Sequence, residues 1–195
     1  IEQKFQIDQN LIYQDLMNLF KISSLKVFNR LFDKYNILYT NELILNLVNG
    51  YRGHLPTINF YDDVLPCLFG LKEFGIKLGM ITDGYAIAQR QKLNALGAEK
   101  YFDEIVVTDE LGREYWKPNP KGFEIIRDVF DVNFNEMIYI GDNPEKDFYI
   151  NSIYPVKTIR IIREDSIYTN NYYLGTKENY TITSLHNFIT IFQNV

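Results

Sequence analysis

Residues 137–147 read Met137-Ile138-Tyr139-Ile140-Gly141-Asp142-Asn143-Pro144-Glu145-Lys146-Asp147, an apolar run that stops at a glycine and passes into two separated carboxylates. A short Ile-rich run of this kind has the length and composition of a buried parallel strand. Asp142 stands where the strand stops and Asp147 follows about a helical turn later, so both can face one point in space. Hard oxygens so placed suit Mg²⁺, which takes few carboxylates and keeps water and substrate phosphate as its other ligands. The same residues also admit a plainer reading, in which Asp142 and Asn143 cap a following helix with Pro144 in its first turn.

Outward from this stretch the pattern repeats. Short Ile- and Val-rich runs at 76–81, 104–107 and 156–161 alternate with helical periodicity at 86–96, 120–130 and 144–153. Strand and helix alternating in this way predict right-handed crossovers and an α/β fold with a doubly wound parallel sheet, whose ligands bind beyond the carboxyl ends of the strands. A late strand at 181–183 and a closing helix from 184 to about 193 are expected, with the polar, Tyr-rich stretch 163–177 as a surface excursion. Upstream, apolar residues recur at three and four through Leu11, Leu16, Leu19, then Val27, Leu31, Phe32, then Leu43, Ile44, Leu47. That spacing predicts three amphipathic helices, the third capped by Thr40, and a further helix is expected over 62–74. Two parts follow: a small all-helical module over 1–59 and an α/β core over 60–195.

Two other strand ends carry chemistry. The first run ends in Thr82-Asp83-Gly84, where a hydroxyl and a tight turn into a helix can offer Oγ and backbone N–H groups to an anion, or can simply cap that helix. After the second strand Lys117 precedes Pro118, which disfavours helical backbone at the lysine and leaves its ammonium able to reach a phosphate near the strand ends. A solvated loop lysine is the alternative.

Composition removes several other functions. A net charge of -5 with scattered Lys and Arg offers no basic surface, so nucleic acid is not expected as a partner. Cys67 is the only cysteine and lies in an apolar run, which excludes an internal disulfide and suits a packed thiol in a reducing compartment. No apolar stretch approaches the roughly 20 residues of a membrane span. A cytoplasmic protein without membrane association is therefore expected.

A Thr after one strand, a Lys-Pro after the next and a Gly-Asp with a second Asp after the third resembles, in order and in register over about residues 60–160, the second, third and fourth motifs of the haloacid dehalogenase (HAD) superfamily. The resemblance implies a Rossmannoid core with a helical cap inserted after the first strand, and a Mg²⁺-dependent phosphatase acting on a small phosphorylated metabolite through an aspartyl-phosphate. Thr82 and Lys117 would be its catalytic pair, Thr82, Asp83, Gly84 and Lys117 its phosphate-binding set, and Asp142 with Asp147 its metal ligands. The helical module would be the cap, with Tyr51, Arg52 and His54 near its return into the core. Such enzymes carry the nucleophile in an Asp-x-Asp motif after an apolar strand, and no stretch of this sequence has that form. A segment of roughly 10 to 20 residues ahead of Ile1 is expected to hold it, and the chain as given is expected to be inactive. Two alternatives stand beside this reading: a dehalogenase-type hydrolase, which needs no metal, and a non-catalytic HAD-like module that binds a phosphorylated ligand or a protein partner.

Overall fold

The structure, a computed structural model, describes residues 7–186 and Phe188. It divides into two compact units, Ile1–His54 and Leu55–Val195, so the residues between His54 and the expected boundary at Asn59 lie in the second unit.

The first unit holds three helices, α1 (Gln9–Ile22), α2 (Val27–Lys34) and α3 (Asn41–Gly53). Asp8 starts α1 by accepting the N–H groups of Asn10 and Leu11 at 2.9 and 3.1 Å, and the Thr40 hydroxyl accepts from Leu43 N–H at the start of α3. Between α1 and α2 the buried Asp15 accepts from Tyr35 Oη and pairs with Lys34 Nζ, both at 2.6 Å, while Leu31 and Phe32 are fully enclosed.

The second unit alternates strand and helix: α4 (Val64–Glu73), β1 (Gly79–Thr82), α5 (Ala86–Leu96), β2 (Glu104–Val107), α6 (Lys121–Phe130), β3 (Ile138–Gly141), α7 (Ile150–Ile153), β4 (Lys157–Ile161) and β5 (Tyr180–Ile182). Every strand pairing is parallel, but the strands form two ladders, β1-β2 and β3-β4-β5. Among the described residues β1 bonds only to β2 and β3 only to β4, which leaves one backbone edge of each without a strand partner.

Common cores span both ladders. Ile81 and Val106 share one cluster with Phe123 and Ile126 of α6, with Val156, and with Tyr139 against them. On the other face Cys67, Leu68 and Leu71 of α4 pack with Leu78 and Ile159, and Ile138 and Ile140 join them. The alternation along β3, isoleucines to α4 and Tyr139 to α6, is the period of two that a sheet covered on both faces requires. Burial pushes the Cys67 thiol pKa up, as befits a packed rather than a reactive cysteine.

Local deviations from the expected elements have identifiable causes. The first strand begins at Gly79 rather than residue 76, because Gly75 and Ile76 still belong to the end of α4: their N–H groups return to the carbonyls of Lys72 and Leu71. The helix expected over 144–153 is reduced to the four residues of α7, since the chain from 142 to 147 folds into turns around the Asp147 carboxylate. The closing helix falls for the most part outside the described residues. Among those residues no helix is long and apolar enough to cross a membrane.

The start of α4 is tied to distant chain by one buried carboxylate. Asp63, 4% exposed, accepts two bonds from Arg163 at 2.9 and 3.1 Å, one from the Ser184 hydroxyl and one from Leu185 N–H. Burial alone would raise its pKa, but these four donors together pull it from 3.8 to about 2. A depressed folded pKa stabilises the native state fully above the unfolded value and loses that contribution as pH falls through the folded one. Denaturant unfolding should accordingly show about 1–2 kcal/mol of stability disappearing between roughly pH 4 and pH 2, and Asp63→Asn should remove that step from the pH profile.

Candidate active site

The expected site residues meet at the carboxyl ends of β1, β2 and β3. Asp147 is the centre of the arrangement. It is 2% exposed, and its Oδ1 accepts from Lys117 Nζ at 2.7 Å and Tyr139 Oη at 3.1 Å, while Oδ2 accepts the N–H groups of Asp142 and Asn143 at 3.1 and 2.8 Å. Four donors use the accepting capacity of a carboxylate. Asp147 is thus placed to fix the loop and the lysine rather than to offer a free oxygen. Gly141 is required by the same packing, because a Cβ there would stand 2.5 Å from Asp147 Oδ2.

Lys117 reaches inward from the loop after β2, bonding Asp147 and also Tyr139 Oη at 2.8 Å, with its side chain 9% exposed. Burial works against its charge, but the Tyr139 hydroxyl and the carboxylates of Asp147 and Asp83 outweigh burial and hold it as an ammonium, its pKa above the ordinary lysine value. Burial and Asp147 in turn keep Tyr139 a neutral phenol. The bond from Lys117 to Pro118 is cis.

The end of β1 is joined to this group through Asp83. Its Oδ1 accepts from Thr108 Oγ1 at 2.8 Å and from Lys117 N–H at 3.1 Å, and Oδ2 lies 3.5 Å from Lys146 Nζ. The Asp83 side chain therefore serves the scaffold, and only its backbone N–H and that of Gly84 remain suited to an anion. Thr82 Oγ1 donates to Gln89 Oε1 at 2.8 Å. Gly84 has φ +125°, and a Cβ there would meet the Gln89 side chain at 2.6 Å, so the turn needs a glycine on both counts.

Asp142 differs from its neighbours. Its carboxylate is exposed and, among the described residues, forms no ion pair. Partial burial, then the negative charge of Asp147, push its pKa above the ordinary carboxylate value. A carboxylate whose charge its surroundings disfavour is suited to a cation. Among the described residues no cluster of three or more acidic, His or Cys ligands is present. Asp142 is a hard oxygen donor of the kind that Mg²⁺ takes beside phosphate and water.

Several participants were not singled out by sequence reasoning. Tyr139 occupies a strand position that reads as core, and Gln89 reads as an ordinary residue on the polar side of α5. Lys146 lies over the Trp116 ring at 5.3 Å, as does the Arg113 guanidinium, and Trp116 Nε1 donates to Asp109, whose other oxygen accepts Ala86 N–H at the start of α5. Trp116 itself, beside Lys117, reads in the sequence either as lining the entrance or as core, and the structure gives it these polar and cationic neighbours.

The contrast between the two aspartates is measurable by urea unfolding at neutral pH. Asp147→Ala strands a buried ammonium and frees two loop N–H groups, so it should cost about 3–5 kcal/mol. Asp142→Asn removes a charge that the folded state disfavours and should be neutral or slightly stabilising.

Comparison with known proteins agrees with this geometry. Residues 3–159 match the family model of haloacid dehalogenase-like hydrolases. A glyceraldehyde 3-phosphate phosphatase from Methanopyrus kandleri is 41% identical over 103 residues, covering 53% of this chain and 43% of that protein. One of the same description from Methanocaldococcus jannaschii is 31% identical over 155 residues, covering 76% of this chain and 63% of the relative. The chain thus spans about two-fifths to three-fifths of the length of these curated relatives. The crystal structure of a HAD phosphatase from Thermococcus onnurineus superposes with a TM-score of 0.62 at 22% identity, over 98% of this chain and 84% of that one, which is a likeness of fold. With the family model covering most of its length and the motif residues gathered at the strand ends, the chain belongs to the haloacid dehalogenase-like hydrolases.

Proposed function

We propose that the full-length protein is a Mg²⁺-dependent phosphatase of small phosphorylated metabolites. The observation that carries the reading is the Lys117 ammonium, fixed on Asp147 and Tyr139 at the rim where the Thr82 hydroxyl and the exposed Asp142 carboxylate also lie. An ammonium has three N–H donors, and two are taken here. The third is available to a phosphoryl oxygen without disturbing the buried pair. Thr82 would exchange Gln89 for a second phosphoryl oxygen, with the N–H groups of Asp83 and Gly84 beside it. Donors held in place before substrate arrives stabilise the charge that spreads over those oxygens in the transition state, the largest contribution in phosphoryl transfer. Asp142 would hold Mg²⁺ with Asp147 orienting its loop, and the bound ion would offset phosphoryl charge.

The phosphatase names of the archaeal relatives support this substrate class. The reaction proposed is attack of an aspartate carboxylate on phosphorus, departure of the ester oxygen as a protonated alcohol, and hydrolysis of the aspartyl-phosphate to carboxylate and inorganic phosphate. Residues 1–195 contain no apolar strand followed by Asp-x-Asp, so that carboxylate would come from a preceding segment.

The test is hydrolysis of glyceraldehyde 3-phosphate and a panel of small phosphate monoesters by the full-length gene product. Activity should vanish on chelation and return with Mg²⁺, and Asp142→Ala should lower kcat/KM about 100-fold or more. Residues 1–195 alone should not turn over. Undiminished hydrolysis without metal would overturn the Mg²⁺ dependence, and halide release from a 2-haloacid with no hydrolysis of any phosphate ester would favour dehalogenase-type chemistry. Binding of phosphate without turnover by the full-length protein would favour a non-catalytic module.

A further inference from the structure

The stretch 163–177 reads in sequence as a surface excursion, and the structure ties it to the candidate site. Its anchor is Arg160 of β4, 2% exposed and opposite Gly141 in the register with β3. The guanidinium donates to Asn170 Oδ1 at 2.8 Å, Tyr172 Oη at 2.9 Å and the Thr169 carbonyl at 3.1 Å. Adjacent residues fasten to the loop that follows β3: Asn171 Nδ2 donates to Glu145 Oε1 at 2.6 Å, and Tyr173 N–H donates to the Pro144 carbonyl at 3.2 Å. Residues 169–173 are thus bonded to the strand end on one side and to the Asp142–Asp147 loop on the other.

That attachment sets Tyr168 on the rim. Its side chain is hydrogen-bonded to Asn143 and lies in the field of Asp142, Asp147 and Lys117, yet the residue remains 38% exposed. Asn143 Oδ1 accepts Glu145 N–H at 3.0 Å, and its NH₂ donates toward the Tyr168 oxygen, the bond that works to lower the phenol pKa. The phenol proton is then free to point elsewhere. A phenol ordinarily keeps its proton at neutral pH.

We propose that residues 163–177 form a fixed wall of the substrate site and that Tyr168 is a specificity-determining residue, its O–H donating to an oxygen on the leaving-group portion of a small polar phosphate ester. The wall comes from the core unit itself, held by a buried arginine, and it needs no closing motion. A donor committed to a substrate oxygen discriminates against esters that offer none, because the hydroxyl would then be left unpaired on binding. The inference rests on the phosphatase reading above.

The experiment compares two substrates on the full-length gene product with Mg²⁺: glyceraldehyde 3-phosphate, whose leaving group carries oxygen acceptors, and p-nitrophenyl phosphate, whose aryl ring offers no comparable group beside the ester. Tyr168→Phe should lower the ratio of kcat/KM for the first over the second by about 3- to 10-fold, chiefly through KM for the triose ester. Asn170→Ala, which loosens the Arg160 anchor, should shift the ratio in the same direction. A ratio unchanged in Tyr168→Phe, with the wild-type protein active, overturns the assignment and leaves the phosphatase reading intact. A wild-type protein inactive on both esters and on the wider panel removes both.

Discussion

The rim depends on one buried ion pair. Asp147 and Lys117 are both withdrawn from water and paired at 2.7 Å. Tyr139 bonds both members, and two backbone N–H groups complete the shell of the carboxylate. A buried pair contributes little net stability, but it is intolerant of losing one member, and that intolerance gives it positional authority. It links the loop after β2 to the loop after β3. Through Asp83, which accepts Lys117 N–H, the end of β1 is drawn into the same unit. Three strand ends that are separate in sequence are thereby set by one interaction.

This explains a division of labour between residues that look equivalent in sequence. Asp142 and Asp147 are both carboxylates after an apolar strand, and a motif reading treats them as a pair of ligands. In space one is enclosed and saturated while the other is exposed and uncompensated. Thr82 and Asp83 divide similarly: the hydroxyl of the first can be exchanged for a substrate, and the side chain of the second is spent on Thr108 and Lys117. The proposed reading gives the chemistry to the members of each pair that local packing has not consumed.

Much of the fold was legible because its signals are local. Apolar runs four or five residues long, separated by helical periodicity, depend on the covering of both sheet faces, and Ile138, Ile140 and Val106 announce that covering directly. Thr40 and the spacing of Leu31 and Phe32 serve the helical unit in the same way. Less legible were features set by contacts distant in sequence. Nothing near Tyr139 shows that its hydroxyl meets a lysine from another loop, and nothing near Pro144 shows that an aspartate will gather the N–H groups preceding it and shorten the helix. Residues 163–177 read as solvent-facing because they are polar. They do lie at the surface, but several of their polar groups are also bonded to a buried arginine and to the loop after β3, which composition does not carry.

The two parallel ladders also bear on how the chain acquires this shape. Each is built from an unbroken stretch, 79–107 in one case and 138–182 in the other, and its strands are joined by modest intervening segments. Loop closure within either stretch costs much less entropy than bringing residue 79 to residue 182 would. The halves can therefore assemble as separate local nuclei. Among the described residues the two ladders are joined by the side chains of α4 and α6, which pack against residues of both, so a substitution on either helix face is felt by both halves at once.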